Sequence, residues 1–243
     1  MLPKIDVPIY NVELPLSKKK IRYRPFLVKE EKLLMMTMES EDLKAVTTTI
    51  KQIANNCILD EVDVDHLPVT DIEFLFLQLR ARSVSEVVEL NYKCNNIVTD
   101  DEDKEKTCGH LVKVNFNLFD VKPIYDENHT NKIEFTPELG VVMKYPTFES
   151  VEEIENTEDI EKGFSILNAC IDYIYDAENI YYVKDVPKQE LDEFVDSMTR
   201  EQFEKIKVFF DTMPKLKKKV DFKCDKCGYS ENIEIEGIQN FFG

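Results

Sequence analysis

The residues with the richest chemistry in this chain are its cysteines. Cys224 and Cys227 are separated only by Asp225 and Lys226 in CDKCG, between the alternating segments VDFK and YSENIEIE. Two thiolates at this spacing, followed by a glycine that accepts the backbone of a tight turn, make half of a zinc site. The other half is expected in Cys94 and Cys108. These also stand at the inner ends of two alternating segments, LNYK and HLVKV, and Cys108 precedes Gly109 just as Cys227 precedes Gly228. The pattern predicts a zinc-ribbon-like centre of four cysteines, in which two β-hairpins share one Zn2+ at their tips. Four protein thiolates would leave no coordination position open for water, so the metal is expected to be structural rather than catalytic. His110, just outside the first pair, is an alternative ligand. A redox Cys-x-x-Cys ordinarily opens a helix, whereas a strand follows here. A Cys94–Cys108 disulfide does not suit a chain without an export signal.

Positioning these thiols requires the strands around them and a body to hold the strands. Tyr10 to Val28 alternates on either side of a Ser-Lys-Lys-Lys turn, which predicts a hairpin ending near Pro25. A helix is expected over 28–39, and a second one striped by Leu43, Val46, Ile50, Ile53 and Cys57. Thr70 and Glu73 have capping-box spacing before FLFLQLRARS, a run apolar nearly all round and therefore expected to be a central, buried helix. VVELNYKC and HLVKVNFNLF read as strands flanking a solvated, acidic insertion at 95–107. NKIEFTPELGVVMKYPT reads as a second hairpin turning at Pro137 and Gly140. The acidic run 149–161 is expected on a solvated helix face, and Phe164, Leu167, Ile171 and Ile174 on one helical stripe with Cys170. Leu191, Phe194 and Met198 suggest a short helix. Thr199 and Gln202 suggest a capping box for a last helix that stops at Pro214. Cys57 and Cys170 fall on apolar stripes and read as core filler. Met35, Met36 and Met38 either fill the core or offer a soft, adaptable surface. The fold class is α+β, a single domain over 1–243. Its zinc-bound β-unit is formed by 86–120 and 216–237, and its helical regions are 28–82 and 150–214.

Charge and composition exclude several function classes. With 31 Lys and Arg against 48 Asp and Glu the net charge is −17, which opposes binding to nucleic acid or anionic lipid. KLKKKVDFK is the one notable basic cluster, and a zinc-ribbon nucleic-acid module is the competing reading that it keeps open. The 6 glycines form no Gly-x-Gly, so phosphate-cradling loops are absent. No His-Glu-x-x-His or Gly-x-Ser-x-Gly occurs, and no enzymatic activity is expected. No apolar run reaches the length of a membrane span and MLPKIDVPIY lacks an export pattern, so a soluble protein of the cytosol is expected.

The segment IRYRPFLVKEEKLLMM, the helices that follow it and the tail FKCDKCGYSENIEIEGIQNFFG resemble the baseplate hub and hub assembly proteins of T-even-type contractile-tailed phages. Residues 125–190 add little to that likeness. The resemblance implies a non-catalytic role in building the hub of the tail baseplate, either as a hub component or as an assembly factor. It implies other baseplate hub or tape-measure proteins as partners, no nucleic acid, and a place in the host cytoplasm during tail assembly or in the virion baseplate.

Overall fold

A computed structural model describes residues 5–38, 43–99, 104–154, 159–237 and 241 of the chain. The N-terminal alternation forms a hairpin of β1 (Tyr10–Glu13) and β2 (Lys20–Tyr23), pairing Val12 with Ile21 and Tyr10 with Tyr23. Helix α1 (Val28–Met38) follows, then α2 (Leu43–Cys57), whose Ile50, Ile53 and Cys57 are buried as the stripe predicts. Met35 and Met36 are 63% and 62% exposed, so these two do not fill the core.

Helix α3 (Val69–Ser83) begins differently from the expected capping box. Pro68 occupies the cap position and makes no side-chain cap bond, and the Thr70 hydroxyl donates to the Pro214 carbonyl at 3.2 Å. The first-turn acid Asp71 is fully buried and accepts the backbone N–H groups of Leu16 and Ser17, each at 2.8 Å. Proline suits a helix entrance because it removes a donor that would be unpaired there. The carboxylate is then free to pin the β1–β2 turn to α3. The helix lies between two cores: Leu77 and Ala81 join one, and Ile72, Leu75, Phe76 and Leu79 join the other. Its all-round apolar character has this double burial as its cause.

The strands that flank Cys94 and Cys108 are β3 (Val87–Lys93) and β6 (Leu111–Asn117), paired antiparallel from Val87↔Asn117 to Lys93↔Leu111. Between them the insertion folds as a short exposed ribbon of β4 (Ile97–Thr99) and β5 (Glu105–Thr107). A short 3-10 turn at Leu118–Asp120 leads to β7 (Lys122–Ile124). The second predicted hairpin is present as β8 (Lys132–Glu134) and β9 (Gly140–Met143). Helices α4 (Phe148–Ile154) and α5 (Asp159–Cys170) carry most of the acidic run, and 155–158 of that run lie outside the described residues.

The stripe continued through Ile171 and Ile174 is corrected by the structure. Helix α5 ends at Cys170, and Ile171–Tyr175 is strand β10, paired with β9 and with β11 (Ile180–Tyr182). A bulge between Ile171 and Tyr173 shifts the alternation, so Ile171 and Ile174 both reach the core at a spacing of three that imitates a helix. The region 150–214 is thus interrupted by two strands. Helix α6 (Lys188–Asp196) follows, then α7 (Arg200–Thr212), where the Thr199–Gln202 capping box is formed in full. Strands β12 (Lys215–Lys223) and β13 (Ser230–Glu236) close the chain, with β7 on the other side of β12. The β12–β13 hairpin, β3–β6 and α3 share one core, which includes Leu90, Phe116, Leu216 and Phe222. The sheet β11-β10-β9-β8 packs with α5, α6 and α7 in another.

Candidate metal centre

Each thiol sits where a hairpin ends, and the two ends are built alike. In the C-terminal hairpin the Cys224 N–H donates to the Tyr229 carbonyl at 2.8 Å, and the Gly228 N–H donates to the Cys224 carbonyl at 2.9 Å. In the β3–β6 hairpin the Cys94 N–H donates to the His110 carbonyl at 2.8 Å, and the Gly109 N–H to the Cys94 carbonyl at 2.9 Å. Both glycines take positive φ, +64° at Gly109 and +74° at Gly228, which other residues adopt only at a cost. The ribbon enters between the cysteines of the first hairpin, and its base is closed by the Cys108 N–H donating to the Asn96 carbonyl at 2.8 Å.

The sequence-predicted site residues are brought together. The sulfurs of Cys94, Cys108, Cys224 and Cys227 all lie within 4.8 Å of one another, with 3.6 Å between Cys94 and Cys227 and 3.8 Å between Cys108 and Cys224. A tetrahedron whose apices stand about 2.3 Å from its centre, the zinc–thiolate distance, has edges of about 3.8 Å. The quartet therefore fits a single tetrahedral ion. Each hairpin gives two sulfurs, and the close contacts run across the hairpins. His110 serves through its backbone carbonyl, and its ring is not in the cluster.

The surroundings favour thiolate at one sulfur and oppose it at another. Cys94, Cys108 and Cys224 are buried in the β-unit core and Cys227 is half-buried. The backbone N–H of Tyr229 holds the Cys227 thiol down to about 6. Burial pushes Cys94 up to about 12. The Asn96 side-chain amide donates to the Cys227 sulfur at 3.6 Å, a contact not foreseen from the sequence. Its only signal was an amide residue two places after a candidate ligand. The remaining cysteines are elsewhere and buried, Cys57 with Arg24 Nη1 donating to its sulfur at 3.7 Å. Cys57 is raised to about 11 and Cys170 to about 12, both chiefly by burial, and each lies in a core of its own. They act as core residues, as their stripes suggested.

The sequence profile described as "T4 bacteriophage base plate protein" matches residues 7–243. The chain belongs to that family. Comparisons with curated proteins and with solved structures return no match. The family match places this base plate protein among phage structural proteins, and it spans both hairpins of the sulfur quartet as well as the helical body. No helix among the described residues of this base plate protein is long and apolar enough to cross a membrane.

Proposed function

We propose that this base plate protein builds the hub of the tail baseplate, as a hub component or as an assembly factor. It acts through protein–protein contacts with hub or tape-measure proteins and without turnover. We further propose that Cys94, Cys108, Cys224 and Cys227 hold one structural Zn2+. The hub assignment leans on the family match and on the likeness carried by Ile21–Met36. The observation that carries the non-catalytic reading is the completeness of the sulfur quartet: three of the four cysteines are buried, and protein would fill all four positions and leave none open for water or substrate. Such a centre ties the hairpin at 94–110 to the one at 224–229, and its binding energy is folding energy.

Capture of the tagged protein from infected cells during tail assembly, followed by mass spectrometry, tests the hub role. Hub or tape-measure proteins are expected, and a phage lacking the gene should fail to complete tails. Recovery of replication or transcription proteins instead would overturn the assignment.

The basic strand does little for the nucleic-acid alternative. Lys217 is bound to Glu234 at 2.6 Å and to Glu236 at 2.9 Å, Lys215 to Glu236 at 3.6 Å, and Lys218 to Asp120 at 3.4 Å. Cations already paired with carboxylates neutralise little further phosphate, so few of the counterions condensed on the nucleic acid would be released. DNA retention on a filter should be weak at low salt and vanish at physiological salt. Tight binding that survives salt and is lost on mutating Lys217, Lys218 and Lys219 would revive that reading.

A further inference from the structure

The sheet β11-β10-β9-β8 has two edges, and they are treated differently. At β8 most of the outward backbone is occupied. The Lys132 N–H donates to the Thr130 hydroxyl at 3.2 Å, that hydroxyl donates to the Lys132 carbonyl at 3.4 Å, and the Glu134 carbonyl receives Lys205 Nζ at 3.4 Å. The strand also carries the Lys132–Glu134 ion pair at 2.7 Å. Charge on an edge and local caps are the usual ways of blocking strand addition.

At β11 the edge is apolar. Ile180, Tyr181 and Tyr182 are 56%, 43% and 46% exposed, and among the described residues no side chain caps their backbone. The turn closes with the Asp176 N–H donating to the Asn179 carbonyl at 3.0 Å, and Tyr181 pairs with Ile174. Alternation in an antiparallel ladder then aims the N–H groups of Ile180 and Tyr182, and the carbonyl of Ile180, away from β10. On the sheet face beside this edge Tyr173 packs on Tyr182, ring centres 5.5 Å apart. A strand added here would find both a backbone to pair with and an aromatic surface to lie against.

The charge around the edge selects the occupant. Asp172, Asp176, Glu178 and Asp185 lie near it in sequence, Asp176 bound to the Tyr181 hydroxyl at 2.9 Å, against Lys184, whose amine stands 5.6 Å from the Tyr182 ring, within a chain of net charge −17. A second copy would bring two acidic rims face to face, which like-charge repulsion opposes. We propose that the free edge of β11 docks an extended segment of a partner protein in which lysine or arginine alternates with apolar residues. The segment adds to the sheet as a fifth strand. Its main chain pairs with Ile180 and Tyr182, and its cations face the surrounding carboxylates. This goes beyond the hub assignment and stands whether or not that assignment holds, because its test needs no phage partner.

The test is fluorescence anisotropy with the full zinc-loaded chain and three labelled peptides: an alternating Lys/Val strand, its Glu/Val counterpart, and the Lys/Val strand N-methylated on both edges so that neither can pair. The Lys/Val peptide is expected to bind about tenfold or more tighter than either of the others, since one loses the charge match and the other the main-chain donors. Tyr182→Pro should weaken it by a similar factor. The φ of Tyr182 is already −73°, so proline fits the backbone and removes only the outward N–H and the ring. Ile180→Lys, which needs no backbone change, should weaken it through charge. Equal binding of the Lys/Val and N-methylated peptides would overturn strand addition. Equal binding of the acidic and basic peptides would overturn the stated chemistry. Sedimentation showing a dimer that Tyr182→Pro dissolves would replace the partner segment by a second copy.

Discussion

The hairpins at 94–110 and 224–229 reach the same geometry from different amounts of chain. Two residues stand between Cys224 and Cys227, while the whole of 95–107 stands between Cys94 and Cys108. Yet the crossed backbone bonds around each first cysteine repeat at 2.8 and 2.9 Å, and each second cysteine is followed by a glycine at positive φ. What the two share is therefore what sets the site: the glycine, the bonds it permits and the strand on either side. Length between the two cysteines is free as long as the base of the excursion is closed, which the Asn96–Cys108 bond does.

The harshest way to break this likeness is to remove a ligand. Cys224→Ser leaves three sulfurs, and several kcal/mol of coupled metal and folding energy should be lost. For a chain of this size that corresponds to a fall in melting temperature of about 10 °C or more. Elemental analysis should find one zinc per chain in the parent and little in the variant. A parent without zinc, or a variant that melts like the parent both with and without chelator, would remove the metal from the account. Leu75→Ala is next in size. Leu75 is fully buried in the core on the far side of α3 from the hairpins, and its truncation should cost about 2–5 kcal/mol. Zinc content should stay at the parent level, which separates loss of packing from loss of metal. A cost below about 1 kcal/mol would show that the α3 site relaxes as a peripheral one does.

Much of the centre was legible because its determinants are local: the glycines after Cys108 and Cys227 and the alternating flanks lie within a few residues of the cysteines they serve, even though 95–107 separates Cys94 from Cys108. The α7 capping box was legible for the same reason. The expectations that failed depended on tertiary partners. Thr70 and Glu73 have capping spacing, but Asp71 is taken by the β1–β2 turn and the cap position by Pro68. Ile171 and Ile174 keep helical spacing only because a bulge displaces the strand alternation. The run IDYIY, rich in β-branched and aromatic residues, was the signal that could have told them apart from α5. Nothing in the local sequence sets Met35 and Met36 outside the core. Their exposure depends on which face of α1 meets α2.

A finer probe is the pair Gly109→Ala and Gly228→Ala. A Cβ on Gly228 would meet nothing within 4 Å, and one on Gly109 only Lys93 Cε at 3.5 Å and the Thr107 carbonyl at 3.8 Å. Both substitutions therefore report backbone strain rather than a clash. Each should cost about 1–2 kcal/mol, and the two costs should agree within about 0.5 kcal/mol if the hairpins are equivalent. Denaturant melts of the zinc-loaded variants measure this. A much larger cost at one glycine would show that the longer excursion makes its hairpin depend differently on the turn.

The smallest effect is expected from making the two hairpins the same length. Replacing 95–107 by Asp-Lys turns the first hairpin into a copy of the second. The exchange removes the β4–β5 ribbon, the Val98 contact with the β-unit core and the Asn96 amide on the Cys227 sulfur. Against these losses stands a shorter loop, whose closure entropy falls only with the logarithm of its length. The net change should be about 1 kcal/mol or less, with zinc retained. Cobalt substituted for zinc should give the same thiolate charge-transfer absorption in both proteins, because the tetrahedral sulfur set is unchanged. Loss of the metal, or a melting shift as large as that of Cys224→Ser, would mean that the ribbon holds Cys94 and Cys108 in place and that the second hairpin is no guide to the first. Retained zinc with failed tail assembly would instead give the ribbon a role outside the metal centre, at a surface the short hairpin does not have.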